Sequence, residues 1–73
     1  MGQIKNDILL EKIILEIRRL RIEKGITHEK FYMDTSIHIG RIESGKQNIT
    51  ISTLDAICQY LGITVKEFFN ELD

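Results

Sequence analysis

The sequence predicts an all-α domain of five helices. Apolar residues recur at spacings of three and four along two long segments. Glycine and threonine fall where helices would stop and start, and no run alternates polar with apolar residues as a half-buried strand would.

The first helix is expected over about residues 7–24. Leu10, Ile13, Ile17 and Leu20 form one apolar stripe, and Asn6 or Asp7 can cap its start. Arg18, Arg19, Arg21 and Lys24 crowd its last turns, where cations suit the helix dipole, and Gly25 ends it. Thr27 is placed to cap a second helix over 28–33, with Glu29 in its first turn and Asp34-Thr35-Ser36 as a breaker. A third helix is expected over 36–44, closed by Gly45 as a left-handed cap. On a helical wheel it turns Ile39 and Ile42 inward and Arg41 and Ser44 outward, with Gly40 beside them. Ile37 faces outward if it lies inside that helix; if it precedes it, the preferred reading, it is a buried staple. Thr50 opens a fourth helix over 51–61, whose buried face is Leu54, Ile57, Cys58 and Leu61, and Gly62 stops it. Thr64-Val65-Lys66-Glu67 has the form of a capping box and opens a fifth helix over 65–72. One core should join Ile17, Leu20, Phe31, Ile39, Ile42, Leu54, Ile57, Leu61 and Phe68.

Seventy-three residues are enough for a single domain over 1–73 and leave little room for a deep catalytic cleft. With 42% hydrophobic and 29% charged residues the chain is globular. No stretch approaches a membrane span, the first residues lack the apolar core of a signal peptide, and one cysteine makes no internal disulfide. A cytoplasmic location is expected. His28 and His38 are too few for a metal site, and no glycine-rich phosphate loop occurs. Cys58 lies on an apolar helix face as a small core residue. Neither an enzyme nor a bound metal or cofactor is expected. The net charge of −1 is unevenly spread. Residues 18–50 carry seven Lys/Arg against four Asp/Glu, whereas 51–73 carry one against four. A basic middle can present a positive face to nucleic acid despite the acidic tail.

Four segments, in order, resemble the XRE, or lambda-repressor-like (Cro-like), helix-turn-helix family. They are Arg19-Leu20-Arg21-Ile22-Glu23-Lys24-Gly25-Ile26-Thr27-His28-Glu29, Arg41-Ile42-Glu43-Ser44-Gly45-Lys46, Leu54-Asp55-Ala56-Ile57-Cys58-Gln59-Tyr60-Leu61-Gly62-Ile63-Thr64, and the closing Phe68-Phe69. The likeness covers about residues 15–69. It implies a five-helix lambda-repressor-like DNA-binding domain that acts on double-stranded DNA as a prokaryotic or phage transcriptional regulator, with repression the expected mode. The chain departs from the family in the middle. Between Phe31 and Glu43 it has about three residues fewer, which shortens the turn between helices two and three. Tyr32 stands where the family usually places alanine.

A helix in the major groove meets a distinct donor and acceptor pattern for each base pair. Arg41 is the leading candidate to read it, because its guanidinium fork matches guanine O6 and N7; the alternative is a phosphate contact or a solvated side chain. His38 and Ser44 are further base-facing candidates, and Thr35 joins them if the shortened turn rotates the helix. Gly40 either admits the DNA closely or packs against Tyr32. The resemblance implies phosphate contacts at Thr27, His28, Lys46, Gln47 and Asn48. It also implies a semi-buried ion pair between Arg21 and Glu43.

A protein-interaction or antitoxin-type module is the competing reading. Ile8, Leu9, Leu10, Ile13, Ile14 and Leu15 spread apolar surface around the first helix, more than one core stripe requires. That surplus is expected to serve a homodimer, or else to bury an extra turn locally or to bind a toxin or another protein.

Overall fold

A computed structural model of the chain describes residues 7–72. These form α1 (Asp7–Glu23), α2 (His28–Thr35), α3 (Ile39–Glu43), α4 (Ile51–Leu61) and α5 (Val65–Asn70), with no strand among the described residues. Asn6, offered above as a cap for α1, lies outside them.

Sequence punctuation fixes most of the helix ends. Gly25, Gly45 and Gly62 all take positive φ, the left-handed region open to glycine at little cost. Thr27, Thr50 and Thr64 cap α2, α4 and α5 by accepting from the amides of Lys30, Thr53 and Glu67. At Thr64 the Glu67 side chain also returns to the cap amide and completes a capping box. Three C-terminal ends are trimmed relative to expectation: α1 stops at Glu23 rather than 24, α3 at Glu43 rather than 44, and α5 at Asn70 rather than 72.

The larger corrections lie at the centre. Helix two runs on to Thr35 instead of stopping at Met33, and helix three begins at Ile39 instead of 36. Asp34 and Thr35 do not break α2, because both side chains find work on it. Asp34 pairs with Lys30 one turn back, at 2.9 Å, and the Thr35 hydroxyl donates to the Phe31 carbonyl at 2.6 Å. Ser36 makes the break instead, at φ 63°, with its amide on the Tyr32 carbonyl. Thr35 Oγ1 then accepts from the Ile37 amide, so a three-residue link carries the chain into α3. With α2 extended and the link kept short, α3 is left with five residues.

Ile17, Phe31, Ile39, Ile42, Ile57, Cys58 and Phe68 are fully buried, and Ile13, Leu20, Leu54 and Leu61 nearly so, in one cluster fed by all five helices. Ile37 precedes α3 and packs against that cluster. Tyr60 ties α4 to α2: its ring meets Phe31 edge-on at 4.7 Å and its hydroxyl donates to Asp34. No described helix is long and apolar enough to cross a membrane.

Candidate nucleic-acid interface

A helix of five residues holds little stability of its own, so α3 must be positioned from outside. Ile39 and Ile42 anchor it in the core. Its last residue, Glu43, supplies the polar anchor. Arg21 of α1 donates from Nε to Glu43 Oε2 at 2.6 Å and from Nη2 to Oε1 at 3.1 Å, a two-pronged match of fork and carboxylate. The remaining guanidinium nitrogen, Nη1, donates to the Ile26 carbonyl at 2.8 Å. The two side chains are only 12% and 7% exposed, which makes this pair costly to break. Burial alone would raise the Glu43 carboxyl, but donation from Arg21 and then His28 outweighs it and holds the group below its ordinary value.

His28, at the start of α2, closes the arrangement from the third side. Its Nε2 lies 3.2 Å from Glu43 Oε1, and its ring sits against Gly40. A Cβ at Gly40 would come within 3.1 Å of His28 Nδ1, so the missing side chain is explained by the imidazole. The packing partner of Gly40 is thus His28 rather than Tyr32. The contact links α2 to α3 without help from the core.

The candidate DNA-contacting residues fall into three groups. His28, Glu29, Tyr32, His38, Gly40 and Arg41 line a single shallow hollow between α2 and α3. Arg41 is exposed there, with no side-chain partner among the described residues. His38 stands at the N-cap position of α3 but makes no side-chain cap; its ring stacks on Tyr32 at 4.3 Å with 25° between the planes. Beyond the far end of α3, Lys46, Gln47 and Asn48 are exposed in the loop that follows Gly45. The Lys46 amide donates to the Arg41 carbonyl, which folds that loop back against the end of the helix. At the start of α2, Thr27 spends its hydroxyl on the cap, while the amides of His28 and Glu29 have no partner within the helix.

Two base-facing candidates are diverted. Thr35 is half-buried at the end of α2, and its hydroxyl both donates to and accepts from backbone groups in the turn, so it does not project with Arg41. Ser44 is exposed but folds its hydroxyl back onto the Arg41 carbonyl at 3.0 Å. Sequence reasoning missed the Tyr32–His38 stack and the grip of His28 on Glu43. The signal was available in part, since an aromatic residue at a position expected to be small demands space and a neighbour.

A second hollow, away from α2 and α3, is apolar. The N-terminal half of α1, the start of α4 and Phe69 enclose a groove of about 230 Å³ lined mainly by Leu9, Leu10, Ile13, Ile49, Ile51 and Leu54. Ile8 and Ile51 stand 72% and 73% exposed at this end of the molecule. Cys58 is buried in the core, where desolvation and then Asp55 raise its thiol and keep it in the unreactive form.

Residues 16–70 match the family of Cro/C1-type helix-turn-helix DNA-binding domains. Among solved structures, the chain is similar to the restriction-modification controller protein C.Esp1396I, seen as a tetramer in complex with its natural 35 base-pair operator. The two are 32% identical with a TM-score of 0.76, over 85% of this chain and 86% of that one. No curated protein matches the chain.

Proposed function

The chain belongs to the Cro/C1-type helix-turn-helix family of DNA-binding regulators, and from that premise we propose how it engages an operator. The hollow between α2 and α3 faces the major groove, with Arg41 reading base edges and His38 beside it. Lys46, Gln47 and Asn48 meet phosphates at one end of the reading helix, and His28 with the free amides of α2 meets them at the other. The observation that carries this reading is the arrangement around α3. The helix is too short to hold itself, yet it is locked by Arg21 and His28 through Glu43, and its outward arginine has no partner among the described residues.

Self-association belongs to the same proposal. One module covers a short stretch of duplex, whereas a symmetric dimer places two reading helices about 34–36 Å apart on a pseudo-palindrome. The apolar groove of α1 and α4 is the surface for it, since it gains by leaving water. The controller protein that this chain resembles was seen as a tetramer on its operator, which favours self-association over a toxin or other foreign partner. Occupying an operator blocks access to a promoter, so repression is the mode proposed. The protein is read as a binding module with no catalytic step, since its only cysteine is a core residue.

Selection of bound duplexes from a random pool tests the whole reading. The expected product is a two-fold symmetric site whose half-sites lie one helical turn apart. Enrichment of no sequence, together with no retardation of mixed duplex at low salt, would overturn it and leave protein interaction as the function of the fold.

A further inference from the structure

Tyr32 is the aromatic residue on this face, and it has no role in the operator contacts proposed so far. It lies on α2, is 45% exposed, and lines the same hollow as His28 and Arg41. A large aromatic side chain held open to water gains nothing from its exposure in the free protein. Its hydroxyl has no partner among the described residues, in contrast to that of Tyr60, which is bonded to Asp34. His38 lies flat against it, and neither imidazole nitrogen has a partner among the described residues.

The dimensions of α3 give this pair a task. Five residues at a rise of about 1.5 Å span about 7.5 Å, less than the roughly 12 Å width of the major groove. So short a helix brings few of its own side chains to the groove, and one of its five residues is Gly40. The stacked rings stand at the N-terminal end of α3, because His38 is its N-cap residue and Tyr32 backs it from α2.

Building on the DNA-binding reading above, we propose that Tyr32 and His38 act as one reading unit that extends the short reach of α3, making Tyr32 a specificity-determining residue contributed by α2. Stacking holds the imidazole in a single plane, so that a ring nitrogen meets a purine acceptor edge in a defined direction. The Tyr32 ring offers apolar surface at the same step, and in the major groove the group that matches it is the 5-methyl of thymine. The unit reads a purine and a neighbouring thymine, while Arg41 reads a separate position further along α3.

The test uses the duplex that the intact wild-type chain selects from a random pool. Each thymine in that duplex is replaced in turn by deoxyuracil, which removes only the methyl. Wild-type binding should weaken about fourfold at one thymine per half-site, the value of one buried carbon. Tyr32→Ala should bind the thymine and deoxyuracil duplexes equally at that position, and Tyr32→Phe should behave as wild type. His38→Ala should lose preference at the adjacent purine, and the double variant should lose little more than the worse single one. A purely structural role for Tyr32 predicts otherwise: a lower melting temperature with every base preference intact. That result would overturn the inference, as would a wild-type chain insensitive to every thymine replacement, a measurement that requires no variant to fold. A wild-type chain that selects no duplex would overturn the DNA reading first and this inference with it.

Discussion

The face built from α2 and α3 and the face built from α1 and α4 solve opposite problems. On the first, the helices are short, eight and five residues, and their placement depends on charged and polar side chains reaching across elements. Arg21 comes from α1, His28 from the start of α2, and both close on Glu43. On the second, the helices are the two longest, 17 and 11 residues, and local capping with an apolar stripe suffices to form them. Yet it is this well-formed side that leaves Ile8, Leu9 and Ile51 facing water. Helical length therefore does not mark the proposed place of DNA contact. The helix proposed to read bases, α3, is the shortest among the described residues, and its placement is fixed by its neighbours.

The comparison can be broken first in the core beneath both faces. Ile42→Ala removes a fully buried side chain from a helix with only one other buried residue, and should cost about 2–5 kcal/mol. Ile51→Ala, on the apolar face, should change the stability of the monomer by about 0.5 kcal/mol or less. Urea denaturation of both variants checks this, and equal losses would mean that α3 is not the dependent element. Next in size is the polar anchor. Arg21→Ala strands a buried carboxylate and should cost about 3 kcal/mol, while Arg21→Met with Glu43→Leu should cost less, since no charge is left behind. A thermodynamic cycle without coupling between the two sites would remove the anchor from the account.

Acid sharpens the same point. The folded state holds the Glu43 carboxyl below its ordinary 4.5, because donation from Arg21 and His28 outweighs burial. Its contribution to stability is thus complete above about pH 4.5 and is lost as pH falls through the lowered folded value. Wild-type stability should fall over that range more steeply than that of the Arg21→Met, Glu43→Leu double variant. Parallel pH profiles would contradict the assignment.

Much of the fold was legible because its signals are local. Thr27, Thr50 and Thr64 announce helix starts and Gly25, Gly45 and Gly62 announce stops, each through a hydrogen bond or a backbone angle set within four residues. The alternation of apolar and polar positions in α4 named Leu54, Ile57, Cys58 and Leu61 as one buried face for the same reason. The stretch from Met33 to His38 was not legible. Asp34, Thr35 and Ser36 are all suited to turns, and which of them breaks the helix depends on side-chain partners. Lys30 holds Asp34 and the Phe31 carbonyl holds Thr35, which leaves Ser36 to turn the chain. The candidate site inherits that difficulty. Arg41 follows from the wheel, whereas Tyr32 stacked on His38 follows only once the start of α3 is known.

The apolar face is expected to respond in association rather than stability. If Ile51 is buried in a symmetric dimer, Ile51→Ser should weaken self-association by about 2 kcal/mol for each copy buried, about thirtyfold. Sedimentation across a concentration series reads the shift, and on a palindromic duplex the variant should bind with lost cooperativity but unchanged half-site preference. A wild-type chain that remains monomeric at high concentration, with DNA and without, would separate this face from operator binding altogether.

The smallest effects divide the reading face itself. Arg41 leaves the outward side of α3 inside the hollow, and Lys46 lies just past the Gly45 cap, where its amide folds the loop onto the end of the helix. Both are exposed cations a few residues apart, so simple electrostatics would treat them alike. Geometry does not. A base-reading arginine discriminates through its paired donors, so Arg41→Ala should cost about tenfold on the selected duplex and flatten preference at one base position. A phosphate-bound lysine acts by releasing counterions, so Lys46→Ala should weaken selected and scrambled duplexes equally and lower the slope of affinity against salt by about one unit. Binding of both variants to both duplexes across a salt series makes the separation. Should Arg41→Ala leave the ratio of selected to scrambled affinity untouched while lowering the salt slope, then Arg41 is a second phosphate clamp. Base reading would in that case rest on the end of α3 that carries His38.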